Sequence, residues 1–217
     1  MAITAVSGLQ ICELYPFFGN SIGGDFMKAK KRTQSLVLGA ILTALVIVLQ
    51  MLGQFIKLGP FSVSLVLVPI VVGAAICDYK IGAWLGFVFG VVVLISGDAA
   101  AFYAISVPGT IITVLLKGTL CGLFAGIVYK LLAAKNKYLA VMTAAVVCPV
   151  VNTGVFLLGC KLFFMSAITE WGAAGGFASA VEYMFLGLAG GNFIFELVVN
   201  IVLAPVILRI ISFNKNL

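Results

Sequence analysis

Apolar residues in this chain gather into six long blocks separated by short polar breaks. The first block runs from Gln34 to Ile56 and ends at Lys57-Leu58-Gly59-Pro60. The second, Phe61 to Cys77, is short and ends at Asp78-Tyr79-Lys80; the third, Ile81 to Ser96, ends at Gly97-Asp98. The fourth, Gly109 to Leu132, follows the Pro108-Gly109 break, and the fifth covers Tyr138 to Phe164. The last, Phe185 to Ile211, contains Pro205, which predicts a kink near its end. The segment Met165–Met184, with Trp171 and many small residues, is the longest connection, and loops of that length often serve as lids or binding elements.

A spanning helix needs about 20 mainly apolar residues, so each block has the scale of a membrane crossing. Composition supports this. Of 217 residues, 63% are hydrophobic and 9% charged, with mean hydropathy +1.25. A soluble domain carries roughly 25% charged residues. The expectation is an all-α integral membrane protein, a bundle of six transmembrane helices, with no room for a separate soluble catalytic domain. Residues 1–26 are weakly patterned and precede Met27 and the basic run Lys28, Lys30, Lys31, Arg32. They read as an N-terminal extension, poorly ordered, ahead of a six-helix membrane domain at 27–217.

The net charge of +6 matters through its distribution. With the N terminus in the cytoplasm, Lys28, Lys30, Lys31, Arg32, Lys80, Lys130, Lys135, Lys137, Arg209 and Lys215 all fall inside. Lys57 alone lies in an outer loop, with Asp98, Glu170 and Glu182 also outside. The positive-inside rule then places both termini in the cytoplasm. Nucleic acid, the usual partner of a basic soluble protein, is not implied; the partner of such a chain is the lipid bilayer.

Several chemistries are excluded. The chain has no His, the commonest general base and metal ligand. Cys12, Cys77, Cys121, Cys148 and Cys160 form no CxxC pair, and most lie in apolar stretches where Cys acts as a small hydrophobe. No paired aspartates or metal-ligand cluster is present, so neither an intramembrane enzyme nor a cofactor is expected.

Small residues mark close helix contacts: Ala40 and Ala44 in the first block, Gly82, Gly86 and Gly90 in the third, Gly118, Gly122 and Gly126 in the fourth. The glycines read as packing within one bundle. No internal repeat is evident, against folds built from inverted halves.

Charges inside a bilayer are unfavourable by at least about 2.5–3.5 kcal/mol on insertion scales, so each needs a reason. Lys117 lies roughly 12 Å below the outer surface at 1.5 Å per residue, and Glu196 sits at a similar depth. Asn192, Glu196 and Asn200 repeat every fourth residue and make one polar stripe. Asn152, beside Thr153, marks the fifth block, and Lys161 lies nearer the outer surface. Two readings stand: Lys117 and Glu196 pair to hold the bundle, or the last three helices line a polar pocket open to the outside. Lys161 fits either a ligand contact or a snorkelling side chain. Phe102, Tyr103, Trp171, Phe177, Tyr183 and Phe185 suit either closure over a ligand or an interfacial belt.

The basic start, the Ala40-x-x-x-Ala44 pair and the polar later blocks resemble the substrate-binding S component of energy-coupling factor (ECF) transporters. Leu58-Gly59-Pro60-Phe61-Ser62, Gly82-Ala83-Trp84-Leu85-Gly86 and Val151-Asn152-Thr153-Gly154 are similar to the general bacterial S-component group, over residues 27–217. The resemblance implies a vitamin-binding protein without its own ATPase, served by a membrane scaffold subunit and two ATPase subunits. It assigns Ala40 and Ala44 to the scaffold contact, although the third small residue of that motif is replaced by Val48. It also implies substrate binding near the outer side between the later helices, the region of the pocket read from Lys117, Asn152, Asn192 and Glu196, with Lys161 as a further candidate contact. Two lysines favour a carboxylate-bearing vitamin, pantothenate before riboflavin or folate. The alternative is a self-contained ion-coupled transporter using Lys117 and Glu196.

Overall fold

A computed structural model describes residues 33–53, 55 and 64–214, with the side chains of 213 and 214 left aside. The extension at 1–26, the basic run after Met27, Lys57, the Leu58–Ser62 segment, the start of the second block and Lys215 lie outside the described residues. Two compact units are distinguished, Met1–Leu38 and Gly39–Leu217. In the first, the described residues begin helix α1, Thr33–Gly53. Everything below concerns the second.

Every regular element among the described residues is helical. After α1 come α2 (Leu67–Ile76), α3 (Tyr79–Ser96), α4 (Ala100–Tyr103), α5 (Val107–Ala133), α6 (Lys137–Phe163) and α7 (Met165–Ala174). Then follow α8 (Ala180–Glu182), a π-helical segment (Tyr183–Gly190) and α9 (Gly191–Asn214). Five helical stretches are long and apolar enough to cross a membrane: Thr33–Gly53, Tyr79–Ser96, Val107–Ala133, Lys137–Phe163 and Ala180–Ser212. The second block yields only the ten residues of α2, about 15 Å of helix against a hydrocarbon core of roughly 30 Å. The described residues thus support five spans and a short apolar helix, where six spans were expected.

Local signals fix the boundaries. Gly97, at φ 86°, ends α3 in the left-handed region that glycine alone enters freely. The Ser106 hydroxyl accepts from the Gly109 amide at 3.2 Å, and Pro108 sits in the first turn of α5, where its missing N–H is not needed. Asn136 caps α6 by accepting from the Tyr138 and Leu139 amides at 2.9 and 3.3 Å. The expected long loop at Met165–Met184 is instead mostly helical. Phe164 ends α6, α7 buries Ile168 and Gly172 on one face, and Ser179 caps α8 by accepting from the Glu182 amide at 3.1 Å. Its Ser, Thr and Gly residues lower the hydropathy without breaking helix, so the sequence signal for a loop was a signal of composition.

α3 and α5 lie antiparallel with glycines face to face. A Cβ on Gly82 would stand 2.7 Å from the Gly122 carbonyl oxygen, and one on Gly90 2.9 Å from that of Val114. Between them, a Cβ on Gly86 would strike the Gly118 carbonyl, and one on Gly118 would strike that of Gly86. Both glycine series are therefore spent on one helix contact inside the bundle.

The polarity of the bundle is inverted relative to a soluble protein. On α9, Asn192, Glu196 and Asn200 are buried, while Ile194, Val198 and Val202 are more than half exposed. α1 buries Leu42, Val46 and Gln50 and exposes Ala40, Ile41, Ala44, Leu45 and Val48. Outward apolar faces suit lipid or a membrane partner. Lys80 near the start of α3, Lys130 and Lys135 near the end of α5, Lys137 at the start of α6 and Arg209 late in α9 share one end of the bundle. There Lys130 meets Asp78 at 3.7 Å and lies over the Tyr79 ring.

Candidate functional site: a polar cavity between the later helices

At the opposite end, toward the C terminus of α3 and the N terminus of α5, the helices part around a cavity of about 630 Å³, including its open side. α1 supplies Gln50, and Ser64 comes from just before α2. Val93, Asp98, Ala99 and Phe102 come from the α3–α4 corner, and Val114 and Lys117 from α5. The second half of α6 contributes Asn152, Thr153 and Phe156; Leu188, Ala189, Asn192, Phe193 and Glu196 come from the π-helical segment and α9.

The polar side chains are held by one another. Asn152 Nδ2 approaches Glu196 Oε2 at 3.5 Å, a long contact, and Ser64 lies against the same carboxyl group. Asn200 Nδ2 donates to the Glu196 backbone carbonyl at 2.8 Å, one turn below the cavity. Gln50 Nε2 donates to Asp98 Oδ2 at 2.9 Å, tying α1 to the α3–α4 corner. Lys117 is half-buried, with Nζ 5.8 Å from the Phe89 ring centre and 5.3 Å from that of Phe156. Cation–π contact stabilises an ammonium that has left water, more so where it is desolvated. Among the described residues, no ion pair within 4.0 Å joins Lys117 to Glu196. They face one cavity without neutralising each other by contact.

Of the five residues the sequence singled out for substrate, the structure brings together Lys117, Asn152, Asn192 and Glu196. Lys161 is exposed near the end of α6, outside the cavity lining, in keeping with a side chain that snorkels outward. Among the aromatic candidates, Phe102 alone lines the cavity. Its ring stands edge-on to Phe164 and Trp171 at 4.8 and 5.6 Å, within an apolar cluster with Ile168, Met184 and Leu188 that joins α7 to the cavity wall. Phe177 packs on Tyr183 at 5.1 Å, and Phe185 is exposed. Gln50 and Asp98 were missed, although Gln50 interrupts an apolar block as plainly as Asn192 does. Phe156 and Phe193 carried no signal, being two of seventeen phenylalanines.

Comparison with known proteins bears on this arrangement. The family described as "ECF transporter, substrate-specific component" matches residues 34–211. The chain belongs to that family. As an S component it is a substrate-binding subunit of a multi-pass membrane transporter, and it is not an enzyme. A solved structure of ThiT from Listeria monocytogenes is similar to this S component, at 22% identity and TM-score 0.62, covering 82% of this chain and 95% of the other. That likeness extends to the fold. No curated protein matches the sequence.

Proposed function

We propose that this S component captures a vitamin in the polar cavity on the outer side of a bacterial plasma membrane and releases it inward only with a scaffold subunit and two ATPase subunits. The supporting observation is the cavity itself. Three amides, a lysine and two carboxyl groups converge between helices whose outer faces are apolar, at the end of the bundle opposite Lys80, Lys130, Lys135, Lys137 and Arg209. The positive-inside rule puts that basic end in the cytoplasm and the cavity toward the outside. Cytoplasmic termini and a sixth crossing, completed around α2, belong to the same reading.

Pantothenate was favoured by two lysines. With Lys161 outside the cavity, one basic group faces the carboxyl groups of Asp98 and Glu196, so charge no longer singles pantothenate out. Riboflavin and folate stand beside it. The test is to purify the full chain in detergent and identify by mass spectrometry what co-purifies. A stoichiometric vitamin is expected, retained by wild type and lost from folded Lys117→Ala protein. The ion-coupled carrier reading is tested in cells lacking the scaffold and ATPases: ATP-independent uptake by this chain alone would overturn the proposed dependence on those partners.

The outward Ala40 and Ala44 of α1 are proposed as the scaffold contact. Ala44→Leu enlarges an exposed position, so ligand binding is expected to stay within about twofold, in line with the small effect of surface substitutions. Uptake with the complete transporter is expected to fall at least about tenfold, as a bulky side chain holds the helices apart. Unimpaired uptake would remove α1 from the interface.

A further inference from the structure

We infer that the cavity selects a ligand rich in N–H and O–H donors, with Gln50, oriented by Asp98, as one acceptor that specifies it. The inference rests on the proposal that the cavity binds substrate. Gln50 is buried to 1% exposure, and its amide nitrogen donates to Asp98 Oδ2 at 2.9 Å. A carboxylate accepts and does not donate, so the NH₂ side of the amide must face Asp98 and the carbonyl must face elsewhere. That Oε1 is buried, with no hydrogen-bond partner among the described residues.

Asn152 repeats the arrangement with a weaker contact. Its Nδ2 is turned to Glu196 Oε2 at 3.5 Å, and its Oδ1 is buried without a partner. Asn192 Oδ1 is a third such oxygen. All three residues line the cavity. Two carboxyl groups thus hold amide donors and leave amide acceptors unmatched, which is an unfavourable state for a buried carbonyl until a donor arrives. Lys117 is the cationic exception, flanked by the Phe89 and Phe156 rings. A group that only accepts, such as a carboxylate, would find Lys117 but face three carbonyl oxygens and two carboxyl groups. Hydroxyl, amine or ring N–H groups on a compact or flat frame match the rest. Asp98 in this scheme is a positioning residue: it fixes which end of the Gln50 amide the ligand meets.

Two matched pairs of probes test this by isothermal titration on the full chain in detergent. Riboflavin and 3-methylriboflavin differ by one ring N–H at constant charge; pantothenol and pantothenate differ by a hydroxyl in place of a carboxylate. On whichever frame binds, the donor-bearing member is expected to bind at least about tenfold tighter, the scale of one buried hydrogen bond. Asp98→Asn both donates and accepts, releasing the Gln50 amide to turn, and should shrink that ratio to within about threefold. Gln50→Met removes the acceptor and should do the same. A purely structural role for either residue would weaken both members alike and leave the ratio unchanged. Equal or reversed preference in the wild type, or an unchanged ratio in both variants, overturns the inference. If none of the four probes binds while another vitamin co-purifies, the inference falls and the S-component reading stands. If nothing binds and nothing co-purifies, the vitamin-binding reading fails first.

Discussion

Gly118→Val is expected to yield little or no monodisperse protein in detergent, and any that survives should unfold about 10 °C below wild type. Gly118 lies where α3 and α5 touch through their backbones, and a Cβ there would strike the Gly86 carbonyl. Neither helix has a flexible side-chain end to yield, so relief requires the two axes to move apart. The neighbouring contacts at Gly82–Gly122 and Gly90–Val114 would open with them. Overpacking of a close-packed interior typically costs about 1–3 kcal/mol and occasionally more. Here the obstacle is main chain, so the upper end applies, and at roughly 2–4 °C per kcal/mol for a chain of this size the shift follows. Gly154→Ala is the contrast. A Cβ at Gly154 meets nothing within 4 Å, and alanine is the better helix former by about 1 kcal/mol, so stability should hold or rise. The pair is read by size-exclusion fluorescence and thermal unfolding. Equal stability of Gly118→Val and wild type would mean that the helices do not meet along this seam.

That seam was visible in the sequence because small residues at every fourth position have few uses in a membrane helix other than close approach. The long spans were visible for a related reason: in lipid the outer surface of a helix must be apolar across the hydrocarbon core, and α5 and α6, of 27 residues each, carry exposed charge only near their ends, at Lys130, Lys137 and Lys161. What failed was inference from low hydropathy to absence of helix. α7 carries Ser166, Thr169, Glu170 and Gly172, yet needs only Ile168 and its neighbours against the Phe102–Phe164 cluster to hold it. α2 shows the converse, since an apolar block gave ten helical residues among those described.

For the cavity, the polar stripe of α9 was legible because an amide or carboxylate every fourth residue must face away from lipid. Which polar residues meet was not, since that depends on helix rotation and on how the chain turns at its ends. Lys117 and the shallower Lys161 were both candidates; rotation puts Lys161 outside the bundle and Lys117 between two phenylalanine rings. Gln50 and Asp98 lie 48 residues apart, and only the packing of α1 on the α3–α4 corner joins them.

Glu196→Ala is expected to weaken vitamin binding by about a hundredfold, the largest functional effect of any single change. Glu196 is 5% exposed and is approached by Asn152 from α6 and by Ser64 from the segment before α2. Truncation leaves those donors in a buried site without their acceptor, at about 1–3 kcal/mol each where water does not replace it. The Asn152 amide is then free to turn, and the ligand loses both a carboxyl group and an oriented carbonyl. A loss near 2.7 kcal/mol in binding corresponds to the hundredfold change. Glu196→Gln keeps shape and one acceptor and should fall between wild type and alanine. Lys161→Ala, outside the cavity, should bind as wild type does. The measurement that decides is binding set beside thermal unfolding for each variant. Were Glu196 a strut for the bundle, Glu196→Ala would lower the unfolding temperature and leave the affinity of the folded fraction intact.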